Sequence, residues 1–371
     1  MAMTGRTRVL MLTGFPAIGG PLPKLAPLLA EALRSCGCEV RLAGWSAHTA
    51  GREPAAAKLV GRAGDLLRVL RRIREWRPDV VYVATSHNWP GLLRDIPLAL
   101  VVPRDRPPLV FHLHGSESGR LVAPGSRLFK ACSALLARRA AAVMLLSTEE
   151  QSEWRRFCPK ARFEVVLNPF VPEGGGGPQG PAPRAGPPTL FTVARMIPSK
   201  GIFDLLDAFA LLRRRRPCRL AYAGIGPAAG DLARRVALLG LDESVDLLGY
   251  VAGAELEAAY RSASAFVLPT YFAEGFPLSV MEATSYGLPV VTTAIRGCAD
   301  KLVAGENALF TPARDPEALA DVLERLLDDD ALRARMGAAN RALVADFAPD
   351  AVVSRYAEIL RSVMPAGRAD A

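Results

Sequence analysis

The strongest constraint on the fold of this 371-residue chain is a run of glycine and proline near its middle, from Pro172 to Pro188. Glycine pays a large entropic cost in regular structure, and proline lacks the amide hydrogen that helices and sheets require. The run therefore predicts a linker over residues 172–188, between an N-terminal domain over 1–171 and a C-terminal domain over 189–349. The alternative is a long surface loop inside one domain.

Short apolar runs separated by helical patterns fill the first half of the chain. Because the runs are continuously apolar rather than alternating, they are typical of parallel strands that are covered on both faces. The predicted strands are Arg8–Thr13, Val40–Ala43, Val80–Ala84, Leu109–Leu113, Ala142–Leu146 and Phe163–Leu167.

The same alternation restarts after the linker, and three helical patterns between Asp315 and Met364 close the chain. The whole pattern predicts an α/β protein with two Rossmann-like, doubly wound domains facing an interdomain cleft, with ligands at the carboxyl ends of the strands. The predicted strands of this half are Thr189–Ala194, Arg219–Ala223, Val245–Leu248, Ala265–Leu268 and Pro289–Thr292.

Charge and cysteine content narrow the class of protein. The net charge of +9 favours anionic partners, but no nucleic-acid-binding motif is present, so nucleic acid is not expected as a partner. Six scattered cysteines without a C-x-x-C pair indicate reduced thiols. With no apolar run long enough for a signal peptide or a membrane span, we expect a cytoplasmic protein. Its Ala- and Arg-rich composition is typical of bacterial coding sequences.

A segment with two glutamates follows the strand Ala265–Leu268 and leads into an apolar-periodic helix. Its turn, Gly275-Phe276-Pro277-Leu278, lies near the helix N-terminus, where free N–H groups and the helix dipole favour a phosphate. Glu274 before the turn could hold sugar hydroxyls, and Glu282 inside the helix could hold ribose hydroxyls. From the residues alone, a helix cap and a solvated carboxylate explain the pair equally well.

Two cations, Arg195 and Lys200, flank a loop after the strand Thr189–Ala194. Such cations at the carboxyl end of a strand suit a diphosphate and would stabilise negative charge on a leaving group. Ordinary surface cations are the competing interpretation.

Two histidines, His112 and His114, share one face of the strand that ends at Gly115. Because no carboxylate or third histidine stands at a supporting spacing, a metal site is disfavoured, and none is expected. His114 is better interpreted as a sugar-contacting residue and His112 as structural. The acidic run Asp328–Asp330 is interpreted as a solvated helix end.

Taken together and in order, these motifs resemble those of the family 4 retaining glycosyltransferases, the broad group 1 class with a GT-B architecture. The resemblance covers nearly the whole chain and is strongest from Thr189 to Pro312. It rests on Gly19-Gly20, His114-Gly115, Asn168, Arg195, Lys200-Gly201, Gly224-Ile225-Gly226-Pro227, the Glu274 and Glu282 spacing, Gly287-Leu288-Pro289, and Gly305-Glu306-Asn307. Arg296-Gly297-Cys298-Ala299-Asp300 departs from the pattern, since a Gly-Gly turn and a glutamate are common there.

The resemblance implies a role for each group of residues. Arg195 and Lys200 would bind the donor diphosphate, with support from Gly19, Gly20 and the backbone of Gly275, Phe276, Pro277 and Leu278. Glu274 and His114 would be catalytic and contact the transferred sugar. Glu282 would bind the ribose, and the backbone of Tyr250 and Val251 would meet the base. No cofactor or metal would be needed, and a helix within 350–371 would cross back to the N-terminal domain.

A basic amphipathic pattern over residues 56–76 bears on the acceptor. Leu59, Val60, Ala63, Leu66, Leu67, Leu70 and Ile73 form its apolar stripe, and six cations crowd the other faces. Such a helix either packs on the sheet or lies on an anionic membrane, which would place the protein at the inner face of the membrane.

The predicted activity is therefore transfer of a sugar from a nucleotide-diphosphate donor to an acceptor hydroxyl, in polysaccharide, lipid-linked glycan or glycoconjugate biosynthesis. The acceptor would be a glycan, a lipid-linked molecule or a small molecule. A sugar-nucleotide epimerase of the same fold and a non-catalytic nucleotide-sugar-binding protein are the alternatives.

Overall fold

The computed structural model describes residues 6–14, 22–45, 55–103, 107–172 and 186–365. The chain divides into two compact units. Unit 1 comprises Met1–Pro169 and Phe347–Ala371, and unit 2 comprises Phe170–Asp346. Most of the predicted linker lies outside the described residues.

Unit 1 contains a six-stranded parallel sheet whose strands are covered by helices on both faces. The order of its strands is β2-β1-β3-β4-β5-β6. In chain order its first elements are β1 (Arg8–Thr13), α1 (Leu22–Ser35), β2 (Glu39–Gly44), α2 (Ala55–Trp76), β3 (Val80–His87), α3 (Trp89–Val101), β4 (Leu109–Ser116), α4 (Gly119–Val122), α5 (Arg127–Arg139), β5 (Ala142–Leu145), α6 (Thr148–Phe157) and β6 (Phe163–Val165).

Unit 2 repeats this architecture with a second six-stranded parallel sheet, in the order β12-β11-β10-β7-β8-β9. Short 3-10 turns lie at Pro198–Lys200 and Val344–Phe347. The other elements are β7 (Thr189–Val193), α7 (Ile202–Arg215), β8 (Arg219–Ala223), α8 (Ala229–Leu238), β9 (Val245–Gly249), α9 (Gly253–Ser262), β10 (Ala265–Leu268), α10 (Leu278–Ser285), β11 (Val290–Thr292), α11 (Arg296–Lys301), β12 (Ala308–Phe310), α12 (Pro316–Asp328), α13 (Asp330–Leu343) and, within unit 1, α14 (Pro349–Ser362).

Alternate residues of the inner strands enter different core layers, which is why their apolar runs are continuous. In β1, Val9 and Met11 pack with α1 and α14, whereas Leu10 and Leu12 pack on the opposite face of the sheet. A strand buried on both sides cannot carry the polar alternation of a half-exposed strand. The predicted α/β class with two doubly wound sheets is confirmed.

The strand order locates the ligand edge within unit 2. The chain proceeds from β7 outward through β8 and β9, and then returns to the other side of β7 with β10. The loops after β7 and β10 therefore diverge in opposite directions, and such a switch point leaves a crevice at the carboxyl ends of the two strands. Lys200 follows β7 and Glu274 follows β10, so both lie at this edge.

Helix α2 packs on unit 1 through only part of its predicted apolar stripe. Leu66, Leu70 and Ile73 pack against the core together with Val69, which was not assigned to the stripe. Val60 and Leu67 point outward, with 74% and 67% of their surface exposed. The prediction of a single stripe was therefore wrong, because the two leucines at 66 and 67 lie on different faces of one helix. None of the described helices is long and apolar enough to span a bilayer.

Candidate active site

The loops after β7 and β10 are joined by close backbone contacts. Gly201 has a left-handed conformation, with φ +72°, and a β-carbon at this position would overlap the carbonyl oxygen of Pro269. The amide of Tyr271 donates to the carbonyl oxygen of Ser199 at 2.9 Å, and the Thr270 hydroxyl bonds to the same oxygen. Only glycine permits this approach without strain, which explains Gly201 directly after Lys200.

Lys200 and Glu274 form an ion pair between these two joined loops. Their side chains are only 11% and 23% exposed. The Lys200 ammonium also lies 5.1 Å from the centre of the Phe272 ring. Because water screens a partly buried pair less than a surface pair, the two charges hold one another in a defined position.

The turn from Gly275 to Pro277 leads into α10 without a side-chain cap. Pro277 occupies the N-cap position, so amide hydrogens of the first helical turn lack the usual side-chain acceptor. The first turn of α11 supports this turn from behind, since a β-carbon on Gly297 would lie 2.5 Å from the Phe276 nitrogen. The segment Arg296–Asp300, whose sequence departs from the family pattern, thus packs directly against the predicted phosphate-binding turn.

The Cys298 side chain is buried beside the ion pair. Burial, reinforced by the negative charge of Glu274, raises the pKa of its thiol to about 12. The thiol is therefore protonated at neutral pH and acts as a small apolar group.

Arg195 is exposed at the carboxyl end of β7. Its guanidinium forms no ion pair with any residue that the structure describes. The neighbouring backbone is held by the turn after β8: Gly224 and Gly226 pack against Ala194 and Met196, where a β-carbon on either glycine would overlap the backbone. These glycines therefore serve close packing, and they leave the Arg195 side chain available for an anion.

Glu282 lies on α10 and lines a cavity of about 180 Å³. Its carboxylate accepts a hydrogen bond of 2.8 Å from the Tyr260 hydroxyl. The Tyr260 ring stacks on Tyr286, with ring centres 5.1 Å apart and an interplanar angle of 10°. Burial and the nearby Glu282 charge raise the pKa of Tyr260, which keeps the phenol protonated as a donor.

Sequence reasoning missed Tyr260 and Tyr286. Tyr286 stands four residues after Glu282, a spacing that places both on one helix face, so helical periodicity could have identified it. Tyr260 comes from a distant segment and carries no comparable signal. Of the two predicted base-binding residues, Tyr250 is 73% exposed and Val251 is buried.

His114 lies near the end of β4, in unit 1. Burial lowers the pKa of its imidazole to about 3, so the ring is neutral at pH 7. His112 is fully buried beneath it, with the two ring centres 3.9 Å apart. The Nδ1 atom of His112 lies 2.6 Å from the Tyr82 hydroxyl, as expected for a structural residue.

A buried polar network at the same edge of unit 1 was also missed. Asp95 is 1% exposed and accepts hydrogen bonds from Trp45 at 2.8 Å and from Thr85 at 2.5 Å. Arg94 pairs with the same carboxylate. A buried carboxylate needs such partners. Trp45 and Thr85 come from two other segments of the chain, so no local pattern predicts their contacts with Asp95.

The structure also bears on the remaining predicted residues. Gly19 and Gly20 lie outside the described residues. Among the described residues, no group of three or more His, Cys, Asp or Glu side chains could hold a metal ion. Asp329 caps α13, and Asp328 and Asp330 pair with arginines, which confirms a helix end at the acidic run.

Comparison with known families identifies both halves of the chain. The sequence model of the family described as "Glycosyl transferases group 1" matches residues 178–343. The model described as "Glycosyltransferase Family 4" matches residues 28–173.

Curated relatives extend this similarity over most of the chain. It is 30% identical over 311 residues to the glycogen synthase of Mycobacterium tuberculosis, covering 80% of this chain and 72% of that protein. It is also 38% identical over 152 residues to a D-inositol 3-phosphate glycosyltransferase of Corynebacterium efficiens, covering 39% of this chain and 36% of that protein.

Solved structures share the fold at low sequence identity. Sucrose-phosphate synthase from Thermosynechococcus elongatus has a TM-score of 0.77 at 19% identity, covering 96% of this chain and 99% of the other. Anabaena HepE in complex with UDP and glucose has a TM-score of 0.72 at 18% identity, covering 96% and 100%. The fold is therefore GT-B, and the chain belongs to the group 1, family 4 glycosyltransferases.

Proposed function

We propose that this glycosyltransferase uses a nucleotide-diphosphate sugar and transfers the sugar with retention at the anomeric carbon, without a metal ion. The observation that carries the proposal is the Lys200–Glu274 pair, which lies between the loops after β7 and β10 and beside the uncapped start of α10. In such a position the cation suits the diphosphate of a nucleotide sugar, and the carboxylate suits the hydroxyl groups of its sugar.

The diphosphate would be held by positive charge that the protein itself supplies. Lys200 and the exposed Arg195 provide two cations, and the first turn of α10 provides amide hydrogens and the positive end of a helix dipole. In many enzymes a metal ion supplies the positive charge that stabilises a diphosphate. Here two cations and a helix N-terminus would supply that charge in its place.

Glu274 would bind hydroxyl groups of the transferred sugar. Without donor its carboxylate is paired with Lys200, and the diphosphate would compete for that lysine. Donor binding would then release the Glu274 carboxylate for the sugar. As the bond from the anomeric carbon to the phosphate oxygen breaks, that oxygen takes the proton of the acceptor hydroxyl, and the new bond forms on the same face, which retains the configuration.

Glu282 and its cavity would bind the nucleoside. A carboxylate at the rim suits the paired hydroxyl groups of a ribose, and Tyr260 fixes its orientation. The base would meet the backbone at Tyr250 and Val251. The Anabaena relative of this fold was crystallised with UDP and glucose, which supports a nucleotide-sugar donor.

His114 would contact a sugar hydroxyl. A neutral imidazole can accept a hydrogen bond through one nitrogen and donate through the other, whereas a protonated ring can only donate. The acceptor would be a glycan, a lipid-linked molecule or a small molecule, since relatives include a glycogen synthase and an inositol-phosphate glycosyltransferase.

Thermal-shift measurements with UDP-, GDP-, ADP- and dTDP-sugars test the donor. We expect at least one to raise the midpoint of wild-type unfolding. Lys200→Ala should weaken this shift, while Glu274→Ala should retain binding of the free nucleotide and lose transfer. Lys160→Ala and Glu317→Ala, at exposed positions, are the matched controls. If no nucleotide sugar stabilises the protein, the donor assignment is wrong.

Metal independence and stereochemistry are tested on the same preparation. Transfer should persist in excess EDTA, and the proton NMR spectrum of the product should show the anomeric configuration of the donor. Loss of activity in EDTA that is restored by a divalent cation would contradict metal independence. An inverted product would contradict retention.

We also propose that unit 1 contacts anionic membranes through the outward face of α2. Val60 and Leu67 are exposed there beside Arg68 and Arg71, which pair with Asp65 and Glu75 and keep 61% and 79% of their side chains exposed. This combination suits the boundary between anionic headgroups and acyl chains and would place the protein at the inner face of the membrane.

Flotation with phosphatidylglycerol vesicles tests this contact. The vesicles should co-float the protein, and Leu67→Glu should reduce the fraction of protein that co-floats. Leu238→Glu, at a position 86% exposed in unit 2, is the control. Absence of co-flotation at low salt would overturn the proposal.

A further inference from the structure

A small cavity of about 10 Å³ adjoins the His114 ring within unit 1. Apolar residues of α1 line one side, and Tyr82, His114, Asn168 and Tyr356 line the others. This volume corresponds to about one water-sized sphere. The cavity, called here the His114 cavity, is too small for a sugar.

Polar atoms without direct partners surround the His114 cavity. Both ring nitrogens of His114 and the Oδ1 atom of Asn168 are buried and lack a hydrogen bond of good geometry to any described residue. The Asn168 amide nevertheless lies close enough to favour the protonated imidazole and so opposes the lowering of its pKa by burial. Buried polar atoms of this kind cost free energy unless something bridges them.

The groups around the cavity are held rigidly from three directions. Tyr82 fixes His112 through its 2.6 Å contact, and His112 packs against the face of His114. Tyr356 of α14 donates a hydrogen bond of 2.9 Å to the carbonyl oxygen of Leu167, the residue before Asn168. The Asn168 amide and the His114 ring therefore face a common space from fixed positions.

We propose that Asn168 is a positioning residue for His114, and that it acts through one water molecule bound in the His114 cavity. The water accepts a hydrogen bond from one ring nitrogen of His114 and donates to Oδ1 of Asn168. This arrangement selects one tautomer of the neutral ring. The other nitrogen is left without a hydrogen, as an acceptor for a substrate hydroxyl once substrate displaces the groups that bury it; this step rests on the proposed function of His114.

The surroundings of His114 fit a hydrogen-bonded rather than an ion-paired histidine. Within the part of the chain that the structure describes, the titratable groups that face it are His112 from β4, Tyr82 from β3 and Tyr356 from α14, and none of them is a carboxylate. Burial raises the pKa of both tyrosines and lowers that of His112, so all three are neutral at pH 7. Orientation of the ring must then come from neutral hydrogen bonds.

Nitrogen-15 NMR of the imidazole groups tests this directly, because the chain has only four histidines. A His114→Gln sample assigns the signals. Wild-type His114 should show one protonated and one unprotonated nitrogen, with chemical shifts that do not change between about pH 5 and pH 8.

Two variants of Asn168 should alter this result. In Asn168→Leu the two nitrogen shifts should converge as the tautomers mix, and kcat should fall about 10- to 100-fold. Asn168→Asp should make His114 titrate within this pH range, because a carboxylate favours the protonated ring.

Two results would overturn the proposal: unchanged His114 shifts in Asn168→Leu, or an unchanged His114 titration in Asn168→Asp. Should Asn168→Leu fail to fold, Asn168→Ser replaces it and is judged by the same shifts. The NMR result does not depend on sugar transfer. Altered shifts in a protein without transferase activity would support the positioning role and contradict the proposed function of the site.

Discussion

Gly201 shows how one residue type can determine the geometry of a site. Its left-handed conformation lets the chain turn directly after Lys200, and the missing side chain lets the loop touch Pro269. Together these two properties bring the cation after β7 to the carboxylate after β10. The adjacent pair Lys200-Gly201 therefore has a joint explanation, in which the glycine positions the lysine.

Replacement of Gly201 by alanine should destabilise unit 2 and reduce activity. A positive φ costs a residue with a side chain about 1–2 kcal/mol, and the overlap with Pro269 adds about 1–3 kcal/mol. Urea unfolding followed by far-UV circular dichroism should register this loss. Gly230→Ala is the control, since Gly230 lies in α8 with open space around it. This variant should have a free energy of unfolding about 0.5–1 kcal/mol higher than the wild type. Equal stabilities of the two variants would contradict this account of Gly201.

At the scale of elements, periodicity predicted the strands whose own sequence marks them. It missed the features that depend on pairing with other strands. The strands Arg219–Ala223 and Ala265–Leu268 were predicted with their observed bounds, because short apolar runs between turns are typical of buried parallel strands. Strand β12 was not predicted, since three residues form no pattern and their identity as a strand depends on pairing with β11. The Lys200–Glu274 pair likewise depends on strand order, which no local pattern contains.

The end of α2 offers a test at the same scale. Arg77 follows the last helical residue with φ +49°, exposed, and precedes Pro78. Glycine is favoured at this position because it adopts the left-handed conformation without strain. Arg77→Gly should therefore raise the free energy of unfolding of unit 1 by about 1 kcal/mol. Arg77→Ala removes the same charge and keeps the strain, so it should show no gain; equal urea midpoints for the two variants would refute the explanation.

For the whole molecule, the path of the chain makes unit 1 discontinuous. Helix α14 comes from the far end of the sequence and buries Val352, Tyr356 and Ile359 in the core layer that includes α1. Unit 1 therefore cannot complete this layer until unit 2 has been synthesised. The two units also differ in spectroscopic properties, because the four tryptophans, Trp45, Trp76, Trp89 and Trp154, all belong to unit 1. Tryptophan fluorescence thus follows the unfolding of unit 1 alone.

This property makes the pH dependence of unit 1 measurable. Burial lowers the pKa of His112 and His114 below the unfolded value of 6.5, to about 3 for His114. The unfolded chain therefore binds more protons below pH 6.5, so the stability that these histidines contribute is complete above this pH and declines as the pH falls towards the folded values. As the pH falls from about 7.5 to about 5.5, each histidine should lower the free energy of unfolding of unit 1 by about 1.4 kcal/mol. Urea midpoints from tryptophan fluorescence should show this loss, and His114→Gln, which removes one of the two groups, should show about half of it. An equal loss in wild type and variant would mean that His114 does not remain neutral in the folded protein.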